Sequence, residues 1–152
     1  MVAKASRAPT GVTLRTYDVG FGDCFLLTFV YPRQKRHVLI DFGSMRLPEG
    51  KRVDGKPIKG SYLKYIAKQI AADCEGQLDI IVATHRHQDH ISGFARQGGR
   101  GPGEIIRQLK PRLVLQPWTE DPGAAEDATE PLRSLHVKTL AQMQGVAQMV
   151  RR

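Results

Sequence analysis

The sequence predicts a mixed α/β (α+β) domain, and three observations carry that reading. Three runs rich in apolar, aromatic or β-branched residues fall at 12–19, 24–31 and 37–42. A stretch with helical spacing follows at 62–73, and a further apolar run lies at 78–84. Strands joined by connections of a few residues favour antiparallel neighbours, so the first three runs read as a meander.

Residues 1–11 read as a flexible arm and 12–152 as the domain. The first ten residues carry Lys4 and Arg7 but no apolar core, so they are no secretory signal, and the expected compartment is cytoplasmic. Val12 to Val19 alternates as an edge or half-buried strand, and Gly20-Phe21-Gly22-Asp23 forms a turn. Cys24 to Tyr31 is almost wholly apolar, a second strand. Polar residues 32–36 connect it to a third, His37 to Phe42, which Gly43 ends. Residues 43–60 are rich in Gly, Pro and basic side chains and read as a loop.

Ser61 is placed to cap a helix over 62–73, with Leu63, Ile66, Ala67, Ile70 and Cys74 on one face and Gly76 after its end. The strand 78–84 follows, and residues 92–103 read as a glycine-rich loop. A short helix is expected over 104–110 and a strand over 112–116, stopped by Pro111 and Pro117. Residues 121–130 form an acidic, alanine-rich linker. A last helix begins near Pro131, with an apolar stripe of Leu132, Leu135, Leu140, Met143, Val146 or Ala147, and Val150. It runs into Arg151-Arg152 with no cap or breaker, which reads as a domain cut short.

With 23 Lys and Arg against 15 Asp and Glu, the chain carries a net charge of +8. Such a balance permits nucleic acid or an anionic substrate as partner, and equally a plain solvated surface. The basic loop with Arg46, Lys51, Arg52, Lys56 and Lys59 is open to the same two readings. No apolar run reaches membrane-spanning length, so no membrane partner is expected of this chain. Cys24 and Cys74 lie far apart without Cys-x-x-Cys spacing, which argues against a disulfide framework or a zinc knuckle. The glycines at 98–103 lack the Gly-Lys-Ser/Thr ending of a phosphate-cradling loop.

The chemistry concentrates in His85-Arg86-His87-Gln88-Asp89-His90, which holds three of the chain's five histidines directly after an apolar strand. Imidazole nitrogen and carboxylate oxygen are ligands that zinc and similar divalent metals accept. In an extended segment His85, His87 and Asp89 share a face, and His90 joins them through a turn.

The order strand, strand, strand–Asp, helix, strand–His-x-His-x-Asp-His resembles the metallo-β-lactamase superfamily. His85, His87, Asp89 and His90 match its second motif, and Asp41 in Val38-Leu39-Ile40-Asp41-Phe42-Gly43 matches its first. Tyr17-Asp18-Val19-Gly20-Phe21-Gly22-Asp23-Cys24 looks like the Asp-Val-Gly-x-Gly-Asp-Ser opening of the branch related to the hydrolase domain of bacterial competence (DNA-uptake) channel proteins, with Cys24 in place of the usual serine. The likeness covers residues 12–118.

That resemblance implies an αββα sandwich and a zinc-dependent hydrolase acting on an ester, thioester, amide or phosphodiester. It implies one or two metal ions, with His85 and His87 on the first and Asp89 and His90 on the second. Asp89 would also serve catalysis by orienting the attacking water, and Asp41 would orient the motif without ligating. The superfamily completes its site with a histidine, an aspartate and a last histidine further downstream. Here only His136 follows His90, inside the expected last helix, while Asp121 and Asp127 lie in the linker. Two readings therefore stand: a metal-dependent hydrolase of a small-molecule or phosphoester substrate, or a non-catalytic, partner-completed binding module built on the fold's first half. The oligomeric state is left open.

Overall fold

Strand alternation and short turns organise the first third of the chain. The structure, a computed structural model, describes residues 8–48, 52–53, 56–57 and 61–116. Strands β1 (Gly11–Thr16), β2 (Phe25–Tyr31) and β3 (Gln34–Ile40) form the expected antiparallel meander. β3 starts three residues earlier than its apolar run, because Tyr31 pairs with Gln34 across a two-residue turn at Pro32-Arg33. The polar side chains of Gln34, Lys35 and Arg36 do not oppose this, since the backbone groups gain their partners whatever the side chain.

Residues 43–60, expected as loop, contain a two-strand ribbon of β4 (Arg52–Val53) and β5 (Lys56–Pro57). Helix α1 spans Tyr62–Asp73, as its spacing indicates. Ser61 accepts a hydrogen bond from the Lys64 amide at 3.4 Å, and Gly76, at φ +80°, donates to Ala71 O to close the far end. Strand β6 is Ile80–Val82, a shorter core of the apolar run. Helical turn α2 (Gln88–Ile91) follows, then 3-10 turns at Ser92–Phe94 and Gln97–Gly99.

The expected glycine-rich loop thus has regular structure. Helix α3, Pro102–Gln108, also begins two residues before the expected start at 104, with Pro102 at a start position that tolerates proline. Gly103 must be glycine there, since a Cβ would stand 1.9 Å from Phe94 O. Strand β7, Leu113–Leu115, ends the described elements.

The strands form one five-stranded mixed sheet in the order β1-β2-β3-β6-β7, with β3, β6 and β7 parallel. Parallel neighbours need crossovers, which α1 and α3 supply. Leu26, Leu39 and Ile81 sit side by side in register and are fully buried. They form one core with Ile66, Ala67 and Ile70 of α1 and with Ile106 and Leu109 around α3. Their sequence neighbours Phe25, Leu27, Val38, Ile40, Ile80 and Val82 point to the other side of the sheet and are only half-buried.

A second, facing sheet is not among the described residues. The expected last helix and the acidic linker lie outside them, as does most of the N-terminal arm. The arm's described end already engages the sheet: the Thr10 amide and hydroxyl both donate to Val30 O, and Gly11 belongs to β1. Among the described residues no helix is long and apolar enough to cross a membrane.

Candidate metal centre

β3 and β6 lie side by side and parallel, so the residues leaving their C-terminal ends emerge together. From β3 comes Asp41, and from β6 come Thr84 and His85. Asp41 is a non-glycine residue at φ +54°, a conformation that Asp tolerates better than most and that is uncommon enough to flag a site. Its amide donates to Val82 O at 2.8 Å, which fixes the carboxylate over the end of β6.

The motif does not run on extended, as the alternation argument requires. The chain bends after Thr84, and His87 is the N-cap of α2, so Asp89 and His90 ride on a helical turn. His85, His87 and Asp89 still converge, each offering a ligand atom within 4.8 Å of the others. The His85 and His87 rings meet edge to face at 4.7 Å, and the His85 and His90 rings lie 3.6 Å apart. His90 Nε2 stands 3.5 Å from Asp89 Oδ2. Donor atoms around a tetrahedral zinc stand roughly 3.3 Å apart, given bonds of about 2.0–2.2 Å. His85, His87 and Asp89 are thus close enough that they could close on a zinc-like ion, and Asp89 also stands beside His90.

Hydrogen-bond logic decides which ring nitrogens are free. Asp41 is buried, and its Oδ1 accepts from the Thr84 amide at 2.7 Å. Its Oδ2 accepts from the Thr84 hydroxyl at 2.6 Å and from His90 Nδ1 at 2.8 Å. A carboxylate only accepts, so the single Thr84 hydroxyl proton goes to Asp41. Thr84 Oγ1 is 3.1 Å from His85 Nδ1 and must accept there, which puts the ring proton on Nδ1. In their neutral forms both His85 and His90 then carry the ring proton on Nδ1 and leave Nε2 as the acceptor. One carboxylate sets the tautomer of two histidines, directly for His90 and through Thr84 for His85. Asp41 thus hydrogen-bonds into the motif at His90 directly and at His85 through Thr84.

Asp23 is a second addition. Its Oδ2 lies 3.4 Å from His90 Nδ1, so Asp23, Asp41 and His90 form a further group of potential ligand atoms. With both Asp41 oxygens already engaged, that group anchors the ring more readily than it holds an ion. The backbone explains why the 20–23 turn reaches so far. Asp23 N donates to Asp89 O at 3.0 Å and Gly43 N donates to Asp23 O at 3.1 Å, so the turn splints the motif against the end of β3. A Cβ at Gly22 would lie 2.6 Å from Asp89 O, and one at Gly43 would lie 2.6 Å from the backbone of Gln88, Asp89 and His90. Only glycine permits this approach.

The turn is clipped to the core as well. Phe42 N donates to His90 O and Gly93 N to Phe42 O, both at 2.7 Å. Ser44 N donates to Ser92 Oγ at 2.9 Å, and the Ser92 hydroxyl donates back to Ser44 O. The Phe42 and Phe94 rings pack edge to face with centroids 5.8 Å apart.

The remaining titratable residues singled out by sequence are structural. Cys24 and Cys74 are buried free thiols; burial pushes the Cys24 thiol far up and Cys74 up to about 12. His37 is buried and hydrogen-bonded to Thr28, and burial lowers its pKa. His136, Asp121 and Asp127 lie outside the described residues. Compared with protein-family models, curated proteins and solved structures, the chain matches none.

Proposed function

We propose that this chain is a metal-dependent hydrolase whose metal, zinc foremost, is held by His85, His87, Asp89 and His90. The single observation that carries the reading is the Asp41–Thr84 relay, which frees Nε2 on two histidines beside the shared carboxylate of Asp89. A buried carboxylate spent on orienting two rings toward one point is what a ligand set needs, and a solvated histidine loop has no use for it. The metallo-β-lactamase-like αββα sandwich is the architecture this proposal supposes, with the described sheet as its first half. Bound there, a divalent ion lowers the pKa of water to about 7 and polarises the bond under attack.

The protein residues do the rest. His85 and His87 present nitrogen donors from the bend after β6. Asp41 and Asp23 hold the His90 ring from its Nδ1 side. Asp89, which borders both donor groups, is placed to accept the proton of an attacking water as it adds to an ester or phosphodiester. The net charge of +8 favours anionic substrates such as phosphodiesters.

A non-catalytic binding module is the second reading, and a specific observation favours it. His37, the remaining histidine among the described residues, is held by Thr28 inside the core face, so no further imidazole there completes the set. Hydrolysis of bis(p-nitrophenyl) phosphate and p-nitrophenyl acetate by the zinc-loaded chain separates the two. The hydrolase reading expects turnover that His87→Ala abolishes. A folded, metal-loaded chain that cleaves neither compound leaves the binding module.

A further inference from the structure

The exposed large hydrophobics divide into two sets. Phe21, Met45 and Leu47 lie on the loops beside the metal centre. Val12 and Leu14 of β1 and Leu113 and Leu115 of β7 lie instead on the sheet, 55%, 59%, 45% and 46% exposed. Sheet register carries this second set across every strand. Leu14, Leu27, Val38, Ile80 and Leu113 form one row, and Phe25, Ile40, Val82 and Leu115 continue in the next. This is the face opposite α1 and α3, apolar from one edge strand to the other. Each side chain on one face of a sheet stands on about 32 Å², given strands about 4.8 Å apart and a two-residue repeat of about 6.7 Å. The five strands therefore present roughly 480 Å² of flat sheet, at the upper end of the apolar patches that monomers keep in water.

We propose that this face is the interface of a homodimer, in which two copies of the chain pack sheet against sheet about a two-fold axis. The layers then run helix, sheet, sheet, helix, because α1 and α3 lie on the outer side of each sheet. The second copy provides the facing sheet of the αββα sandwich that the proposed function supposes. The inference itself stands on the sheet face and not on the metal.

Charge and area both select this partner. At its strand positions the face carries one charged side chain, Arg36, whose guanidinium is already engaged by Asp79 at 2.6 Å. A nucleic acid or an acidic peptide finds no unspent charge there, although the whole chain carries +8. An identical uncharged face is complementary to it. Two facing copies cover close to about 1,000 Å² of flat sheet, and the relief of the side chains adds to that, which meets the size a specific interface needs. Facing sheets pack about 10 Å apart through interdigitated Leu, Ile, Val and Phe side chains, the types that line these rows.

Sedimentation velocity of the full chain at micromolar concentration tests the proposal. The native chain should sediment at twice its 16.9 kDa mass. Leu14→Asp and Leu113→Asp change positions that a folded single copy leaves half exposed, so each should keep its far-UV circular dichroism. Each should weaken the dimer at least tenfold, because an unpaired carboxylate is then buried in the interface. Lys68→Asp, on the exposed side of α1, should leave the dimer intact. Benzoylphenylalanine in place of Leu14 should give, on irradiation, a product of doubled mass joined to a strand peptide of the second copy. A native chain of single mass would overturn the proposal, as would a dimer that both Asp variants leave unchanged. A cross-link that stays within one chain would overturn it too, since the face is then covered by the chain itself. Neither readout depends on the metal centre.

Discussion

Replacing Asp41 by Asn keeps the size of the side chain and reverses the hydrogen-bond logic of the centre. The Asn oxygen still accepts from the Thr84 amide, so its NH2 group takes the position of Oδ2. There it faces Thr84 Oγ1 and His90 Nδ1, which stand 2.6 and 2.8 Å from that position and now meet a donor. His90 must then accept at Nδ1 and carry its proton on Nε2. The Thr84 hydroxyl, without its carboxylate, turns to donate to His85 Nδ1, and the His85 proton also moves to Nε2. Both ligand nitrogens are blocked by one substitution.

Loss of an outer partner of a metal ligand typically costs 10–100-fold in affinity, about 1.4–2.7 kcal/mol. Because Asp41 serves two histidines, the expected loss is at the upper end, about 100-fold. Thr84→Val breaks only the His85 link and should cost about 10-fold, while Thr84→Ser, which keeps the hydroxyl, should stay close to the native affinity. Zinc affinity by competition with a fluorescent chelator measures all three, with far-UV circular dichroism to establish that each apo chain is folded. A folded Asp41→Asn chain that binds zinc within threefold of the native value would refute the relay.

Other perturbations follow from the same geometry. His87 is exposed and makes only a ring contact with His85, so His87→Ala should change apo stability by no more than about 0.5 kcal/mol in urea denaturation while removing bound zinc. Gly43→Ala puts a methyl group 2.6 Å from the backbone of Gln88, Asp89 and His90. It should cost about 1–3 kcal/mol of stability and weaken zinc binding as the turn is pushed away, both read in the same titrations. Acid should destabilise the fold in a defined window. Arg107 first, and Arg96 with it, hold the Glu104 carboxyl down to about 2, so its contribution is complete above 4.5 and is lost as pH falls from there toward 2. His37, lowered by burial, adds a loss below 6.5, where the unfolded chain takes up a proton more readily than the fold does. Urea midpoints at pH 7, 4 and 3 measure this, and Arg107→Leu should flatten the lower part of the curve.

The parts legible in the sequence are those set by local periodicity or by one chemical signature. α1 is marked by its apolar spacing, its Ser61 cap and Gly76, and it forms over the residues expected. The meander follows from three apolar runs with short connections, and the His/Asp cluster from ligand types packed into six residues. What stayed hidden depends on distant contacts. Gly22 and Asp23 read as a turn inside the Asp-Val-Gly-x-Gly-Asp segment with no contact assigned to them, and only the fold brings them against Asp89 and His90. The signal that could have found Asp23 is the density of glycines around it, since closely spaced glycines mark close backbone approach. Thr84 looks like the end of a strand, and its relay exists because parallel pairing of β3 with β6 delivers Asp41 to it. The helical turn at 88–91 escaped the alternation argument because backbone hydrogen bonds from Asp23 and Phe42, not side-chain periodicity, shape that segment.

The central claim is that His85, His87, Asp89 and His90 hold metal. Equilibrium dialysis of the full chain against zinc, followed by elemental analysis, tests it most directly. The expected result is zinc retained by the native chain and lost in His87→Ala. A folded native chain that retains no zinc at micromolar free metal would contradict it.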